Sequence, residues 1–406
     1  MNRAIVVTQG DELVSGQILD TNAQFLCGIL WDYGISVVEV RTVPDDPHAI
    51  ATALKEAAHK ADVVISSGGL GPTADDYSTQ AAASAFNLPL KEHPQAIEQL
   101  ESHYKKTGKP FLPICRKMAS LPINSSVLSN PIGSAPGFKI MYQQTAFYFF
   151  PGVPAELKAM MEKHFPIVES SDISPLKLGT LGLREADIAT RLAAYKSKHL
   201  QIGYQATRRG NIVKLRFTDQ AEKNKLYPKI IDTLDDVLFG IDEVDLATVI
   251  GKELVKSEQT IAVAESCTAG KISSWLASIS GSSRYLIEGA VVYANQAKIR
   301  TCSVSPNDLR QHGAVSKPVA IQMAVGIRQR AKTTWGVAVT GIAGPGGGRP
   351  QKPVGTVHLA VCGPNYIEHK VFRFSGTRDQ ITESAAANAL FMVLQGIKKA
   401  RISGLS

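Results

Sequence analysis

The chain has 406 residues, 44% hydrophobic and 20% charged, with a formal net charge of +8. These proportions exclude wholesale disorder, and no apolar run approaches the roughly 18 residues a membrane-spanning helix needs. Five scattered cysteines, with no C-x-x-C pair, argue against a disulfide framework or a structural zinc site.

The first residues reach Asp11 and Glu12 too soon for a signal peptide, so a cytoplasmic location is expected. Ala4 to Thr8 is a buried-strand pattern, and Asn22 to Tyr33 has helical spacing ended by Gly34. Ser36 to Val43 reads as a strand, Pro47 to Lys60 as a helix, and Asp62 to Ser67 as a strand. This β-α-β-α-β order predicts a parallel sheet covered by helices on both faces. Thr145 to Phe150 is a further apolar strand.

A second segment runs from about Asp172 to Val244. Strands are expected at Leu176–Leu181, Ile202–Gln205 and Asn211–Thr218, with helices at Arg184–Tyr195 and Gln220–Leu238. The unit is small and α+β. Its element order is similar to a KH-type module, but it lacks the G-x-x-G loop that clamps a nucleic-acid backbone. A spacer or dimerisation role is the expectation.

From Leu246 onward strands and helices alternate again. Helices are predicted at Thr248–Ser257, Gly270–Ser280, Lys317–Lys332 and Asp379–Lys399. Strands are predicted at Thr260–Glu265, Gly289–Tyr293, Trp335–Gly341 and Val354–Cys362. Charge marks the boundary. There are 19 basic and 8 acidic residues from Thr248 to the end, against 25 and 28 before it. A basic C-terminal part suits a phosphorylated small molecule or nucleic acid, although dispersed charges also describe a solvated surface. The fold class read from this pattern is α/β, with two three-layer α/β domains joined by a small α+β KH-like module. The expected bounds are 1–170, 171–245 and 246–406.

The sharpest N-terminal signal is Ser67-Gly68-Gly69-Leu70-Gly71-Pro72-Thr73-Ala74-Asp75-Asp76, directly after a strand. Glycines let a backbone close on a phosphate, and Asp75 and Asp76 offer hard oxygen ligands for Mg²⁺. A tight turn followed by a helix cap is the alternative. Gly10-Asp11-Glu12, Asp20-Thr21-Asn22, the 131–137 loop with Ser134, and Pro151 to Glu156 could join the same pocket. Asp20 could equally cap a helix, and Glu156 could occupy a favourable first helical turn.

The patterns GDELxxGQIxDTN, SGGLGPTxDD, NPxGSAPG and PGVPAE together resemble the CinA family, across essentially the whole chain. The resemblance implies an N-terminal domain similar to the molybdopterin-binding fold, with metal-dependent hydrolysis of ADP-ribose to AMP and ribose 5-phosphate. It implies that Asp75 and Asp76 hold a divalent metal such as Mg²⁺, with or without a monovalent cation. Gly68, Gly69, Gly71, Thr73 and Ser134 would then meet phosphate. Gln9 departs from the small or aliphatic residue usual there. Cys115-Arg116-Lys117 departs from Asn-Arg-Lys, leaving Arg116 and Lys117 to neutralise phosphate.

In the C-terminal part, Glu265-Ser266-Cys267-Thr268-Ala269-Gly270 joins a strand to a helix, a natural oxyanion or phosphate site or a simple helix cap. Gly281-Ser282-Ser283, Tyr293 and Lys298 follow, then the glycine-rich Thr340–Gly348 loop and Ser375-Gly376-Thr377-Arg378-Asp379. A buried lysine can act as base to a serine, but spacing alone does not make these residues converge. No histidine stands where it would partner Cys267.

ESCTxG, AxVxYxNxxK, TGIAGPxGG and the late G-x-R-D resemble the CinA C-terminal domain, the nicotinamide-nucleotide amidase family. That resemblance implies hydrolysis of the carboxamide of nicotinamide mononucleotide to nicotinate mononucleotide and ammonia, without a cofactor. By motif it makes Ser283 the nucleophile, Lys298 the base and Tyr293 a proton relay. Ser266 and Thr268 line the pocket, Thr340 and Gly341 hold substrate, and Arg378 takes its phosphate. Ala269 stands where the family usually has glycine, a strained choice if that position needs φ > 0. The expected partners are these two nucleotides and a second copy of the chain in a homodimer. Neither a membrane nor nucleic acid is expected. Two rival readings are a non-catalytic partner in DNA uptake or recombination and a pterin-binding N-terminal domain.

Overall fold

A computed structural model describes residues 3–165 and 175–402. The chain divides into two compact units, 1–175 and 176–406. Among the described residues no helix is long and apolar enough to cross a membrane.

The strands of the first unit are β1 (Arg3–Gln9), β2 (Ser36–Val43), β3 (Val63–Ser67), β4 (Leu90–Glu92), β5 (Ser120–Pro122), β6 (Ser126–Leu128), β7 (Gly137–Tyr142) and β8 (Thr145–Phe150). Its helices are α1 (Asp11–Val14), α2 (Thr21–Asp32), α3 (Pro47–Ala57), α4 (Ser78–Phe86), α5 (Pro94–Thr107) and α6 (Pro154–His164). Six strands form one sheet in the order β2-β1-β3-β8-β7-β6. β2, β1, β3 and β8 run parallel, as the alternating pattern predicts. β7 and β6 add an antiparallel edge that the sequence reading did not contain. Both faces of the sheet are buried. Ile5, Val7, Val64, Phe138 and Phe147 pack on one side. Ala4, Val6, Ile65, Tyr148 and Phe150 pack with Leu26 and Leu30 of α2 and Met160 of α6 on the other. Local chemistry fixes the helix starts: Asp20 accepts from the Ala23 N–H to open α2, and Asp46 accepts from the Ala49 N–H before Pro47 opens α3.

The second unit holds two sheets. The smaller contains β9 (Leu176–Thr180), β10 (Leu200–Thr207), β11 (Gly210–Phe217) and β12 (Leu238–Ile241), with α7 (Glu185–Leu192) and α8 (Gln220–Leu234). Its order is β10-β11-β9-β12 and every pairing is antiparallel. A β-α-β-β-α-β chain wound this way is the split β-α-β arrangement of ferredoxin-like folds, so the KH-like expectation is not confirmed. The strand β12 lies partly where a longer helix was expected. Its Leu238 and Phe239 are buried, which a solvent-facing helix end would not allow.

The larger sheet contains β13 (Ile261–Glu265), β14 (Leu286–Val291), β15 (Trp335–Gly341), β16 (Thr356–Gly363) and β17 (Tyr366–Arg373), in the order β14-β13-β15-β16-β17. The first three run parallel and the last two antiparallel. Helices α9 (Leu246–Lys256), α10 (Lys271–Ala277), α11 (Asn295–Cys302), α12 (Pro306–His312), α13 (Lys317–Ala331) and α14 (Arg378–Ile402) complete it. Ile250, Leu254, Val263, Val337, Leu359 and Leu390 form the core on one face. Ala262, Ala264, Ala338 and Ala360 meet Met323 and Ile327 of α13 on the other. The alanines let α13 approach closely. Leu181, just past β9, and Phe239 of β12 belong to the same core as α9 and α14, so the two sheets of this unit share an apolar interior.

Candidate functional sites

Each unit gathers its sequence motifs at the C-terminal ends of parallel strands. In the first unit a cavity of about 420 Å³ lies beyond β1, β3 and β8. It is lined by Gly68, Gly69, Gly71, Asp75, Asp76, Ser134 and Glu156, together with Gln9, Gly10, Glu12 and Asp45. Three separated motifs thus meet, as adjacent parallel strand ends require, and the 131–137 loop joins them from the antiparallel edge between β6 and β7. Gly68 and Gly69 have φ of 116° and 60°. A Cβ on Gly68 would stand 2.8 Å from the Gln9 carbonyl oxygen, so glycine is needed for both conformation and space. Among the described residues no hydrogen bond uses the N–H of Gly69, Leu70 or Gly71. An anion could take them.

The carboxylates are not equivalent. Asp76 accepts from the Thr73 N–H at 2.8 Å and the Thr73 hydroxyl at 2.5 Å, so Thr73 and Asp76 close the loop on each other. Asp75 is exposed, and its carboxyl is held below the usual aspartate range, first by the nearness of Thr73, then by its own N–H and the Lys117 charge. Burial, then the charges of Asp11, Glu12 and Asp75, push Asp45 up. No group of three His, Cys, Asp or Glu able to hold a metal converges among the described residues. This donor set fits a divalent ion held by one or two carboxylates and a substrate phosphate, the habit of Mg²⁺, better than an all-protein cage.

Several supporting residues differ from expectation. Arg116 is paired with Glu92 through three hydrogen bonds of 2.9, 2.7 and 2.6 Å, so its charge is committed elsewhere. The Lys117 amine donates to the Thr73 carbonyl and so steadies the loop. Asp20 caps α2 and accepts from the Thr8 hydroxyl at 2.6 Å, which is a structural role. Gln9 donates to the Gly68 carbonyl and the Ser78 hydroxyl beneath the loop. Asn130 was missed. Its oxygen accepts from the Ile132 and Gly133 N–H groups, and its amide donates to Glu156 at 2.6 Å. The available signal was Asn directly before Pro131, an Asx-turn pattern. Asp45 was also missed.

In the second unit Ser266 follows β13, and its N–H donates to the Val339 carbonyl of β15. Lys298, on α11, is 1% exposed. Its amine meets the Val292 and Tyr293 carbonyls at 2.8 Å each and the Ser266 hydroxyl at 3.1 Å. Burial holds its pKa below the ordinary lysine value. Tyr293 is exposed, and its hydroxyl accepts from Arg378 at 2.9 Å. Arg378 also donates to the Gly344 carbonyl at 2.8 Å. One hydrogen-bonded chain therefore joins Ser266, Lys298, Tyr293, Arg378 and the 340–348 loop. Thr340 and Gly341 end β15. The buried Thr340 hydroxyl donates to the Ala314 carbonyl at 2.9 Å, which holds the loop rather than leaving the group free. The Thr268 hydroxyl is buried without a partner among the described residues.

Ser283 is not part of this chain. It stands exposed on a short 3₁₀ turn, Ser282–Arg284, and no hydrogen bond joins it to Lys298. The lysine reaches Ser266 instead, with its amine also against the Val292 and Tyr293 carbonyls just beyond β14. Cys267 is buried and its thiol is pushed up to about 12, chiefly by burial, which keeps it a thiol at neutral pH.

Glu265 is the residue that the motif contained but sequence reasoning gave no task. It is fully buried. One oxygen accepts from the Gly270 and Ile272 N–H groups at 3.0 and 3.1 Å. The other accepts from the Ser273 N–H at 2.8 Å and the Ser273 hydroxyl at 2.7 Å. It thereby ties the turn bearing Ser266 to the start of α10, at the positive end of a helix. Ala269 in that turn has φ of 52°, the strained option raised by the sequence.

Family models agree with this division. One described as CinA C-terminal domain matches residues 243–397, and one described as probable molybdopterin binding domain matches residues 5–170. The CinA-like protein of Trichodesmium erythraeum is 37% identical over 93% of this chain and 92% of its own. That of Myxococcus xanthus is 38% identical over 97% and 98%. A crystal structure of competence/damage inducible protein CihA from Agrobacterium tumefaciens is 40% identical, covers 37% of this chain and 93% of its own, and has a TM-score of 0.37.

Proposed function

The chain belongs to the CinA-like family, and from that premise we propose that its C-terminal site is a serine–lysine amidase acting on nicotinamide mononucleotide. The observation that carries this reading is the environment of Lys298. Two backbone carbonyls and one serine hydroxyl surround a buried amine. A neutral amine there gives its two N–H bonds to Val292 and Tyr293 and turns its lone pair to the Ser266 O–H. The lowered pKa makes that neutral form accessible.

The nucleophile in this reading is Ser266, in place of Ser283. Ser266 Oγ adds to the carboxamide carbon as Lys298 takes its proton. The ammonium formed is stabilised by the two carbonyls. It returns the proton to the leaving nitrogen, and ammonia departs. Water, deprotonated by Lys298, then cleaves the acyl-serine ester to give the carboxylate and restore Ser266. Thr268 offers its unpartnered hydroxyl to the substrate. Arg378 keeps further N–H donors for a phosphate after meeting Tyr293 and Gly344. Ammonia release that survives in Ser283→Ala and is lost in Ser266→Ala and Lys298→Ala supports the assignment. The opposite pattern returns the role to Ser283.

For the first unit the reading is hydrolysis of ADP-ribose to AMP and ribose 5-phosphate. The glycine loop would hold a phosphate through free N–H groups, and Asp75, with the remaining oxygen of Asp76, would hold a divalent ion beside it. When bound, that ion supplies Lewis-acid polarisation of a phosphoryl oxygen. Loss of ADP-ribose turnover on EDTA treatment and in Asp75→Asn tests this reading, and pterin binding without turnover would replace it.

A further inference from the structure

The tip of the β10–β11 hairpin reaches the large sheet's helices. Thr207 locks this tip, its hydroxyl donating to the Gly210 carbonyl at 2.7 Å and accepting from the Arg209 N–H at 3.2 Å. Gly210 has φ of 131°, and a Cβ there would lie 2.5 Å from the Thr180 carbonyl oxygen. The tip is therefore rigid, and it projects one side chain to a defined place. The Arg209 guanidinium lies 4.2 Å from the centroid of the Trp275 ring on α10, and its Nε meets Glu383 of α14 at 3.2 Å. Trp275 is itself packed on the main core, and the Glu383 side chain is 23% exposed. The arginine thus joins two elements that are firmly seated.

The same module grips α14 a second time. Lys398 donates to the Leu238 carbonyl of β12 at 3.1 Å, and Phe239 enters the core against that helix. Residues 383 and 398 are separated by about 22 Å along a helix. Two attachments that far apart fix the direction of the helix axis as well as its position. Arg378 begins α14, about 7 to 8 Å before Glu383 along the axis. Next to it, Asp379 pairs with Lys271 of α10 at 2.6 Å. The turn that presents Arg378 to Tyr293 and Gly344 is consequently set by α10 and by Arg209 together.

We propose that Arg209 is a positioning residue for the anion site at Arg378, so that the small ferredoxin-like module is a working part of the C-terminal site rather than a spacer. The assignment of the anion as a substrate phosphate rests on the amidase reading. The geometric claim concerns any phosphate held by Arg378.

The test uses the full chain, with inorganic phosphate as the calorimetric probe, the binding lost in Arg378→Ala being that of the C-terminal site and any that remains that of the N-terminal loop, and ammonia release from nicotinamide mononucleotide as a separate measurement. Arg209→Ala is expected to bind phosphate about threefold to tenfold more weakly than wild type, the size expected for losing one stacked, paired arginine. Arg209→Lys keeps the pair with Glu383 but loses the planar stack, so it falls between the two. Arg208→Ala, at the exposed neighbouring position, matches wild type. Combining Arg209→Ala with Arg378→Ala adds nothing to Arg378→Ala alone. A fold-wide defect would instead weaken the double variant further and lower the unfolding temperature. Wild type that binds phosphate at the Arg378 site but releases no ammonia sinks the amidase reading and leaves the positioning role of Arg209 standing. Equal affinity at that site in wild type and Arg209→Ala, or no phosphate binding there by wild type, overturns the positioning role.

Discussion

Replacing Ala269 by glycine is expected to stabilise the second unit. Ala269 holds φ of 52° in the turn after Ser266, followed by Gly270 at 97°. An L-residue with a Cβ pays about 1–2 kcal/mol in the left-handed region. Glycine removes that strain but returns about 0.4–1 kcal/mol of chain entropy to the unfolded state. The difference leaves about 0.5–1 kcal/mol in favour of Ala269→Gly. For a unit of this size that corresponds to a rise of about 1–4 °C in unfolding temperature. Differential scanning calorimetry of the full chain reads it from the transition of the second unit. The Glu265 anchors of the turn are untouched, so the Ser266–Lys298 contact persists and ammonia release is retained. A fall of a few degrees would refute the reasoning, because it would mean that the turn does not hold Ala269 in the left-handed region.

Three further outcomes follow from the same geometry. If Lys298 must be neutral to act, kcat/KM rises with pH through an apparent pKa below the ordinary lysine value of 10.5, and a flat profile from pH 6 to 10 would deny it the base role. The same lowered pKa means that burial of the charged amine costs stability below the folded pKa, a cost relieved as pH rises toward 10.5. Glu265→Gln places an amide NH₂ against N–H donors and is expected to lose about 2–4 kcal/mol in denaturant unfolding, with turnover falling as the Ser266 turn loosens. A loss under about 1 kcal/mol would show that the four bonds to Glu265 are replaceable. His358 and His369, 2.9 Å apart across β16 and β17, are both held below the usual histidine range, His358 to about 4, chiefly by burial. The unfolded chain binds more protons there, so stability declines as pH falls from 6.5 toward 4. In His358→Gln that decline, read from urea midpoints, is shallower, and an unchanged slope would clear the pair of responsibility.

Much of the parallel layering was legible because its signals are local. Runs such as Ala4–Val7, Val63–Ile65 and Ile261–Ala264 are apolar on both faces, as strands buried between helices must be. The Asp20 cap and the Gly34 stop mark helix ends as read from the sequence, while the caps at Asp46 and Asp245 were equally local but went unread. The antiparallel additions were harder. β6 and β7 mix exposed and buried positions, and the edge strand β17 has none that is fully buried, with Ile367 and Val371 facing solvent. The ferredoxin-like winding depends on β9 pairing with β11 and β12, and strand order is not written in periodicity. The sites divide in the same way. The N-terminal motifs meet at strand ends whose adjacency a β-α-β order implies. The choice between Ser266 and Ser283 turns on where one long side chain reaches. Lys298 lies 32 residues from Ser266 in sequence, and only the fold brings them together.

The central claim is tested most directly by ammonia release from nicotinamide mononucleotide in wild type, Ser266→Ala, Ser283→Ala and Lys298→Ala, each with and without EDTA. The account predicts chelator-insensitive turnover in wild type and Ser283→Ala and none in Ser266→Ala or Lys298→Ala. No turnover by wild type, or turnover that survives in Lys298→Ala, would contradict it.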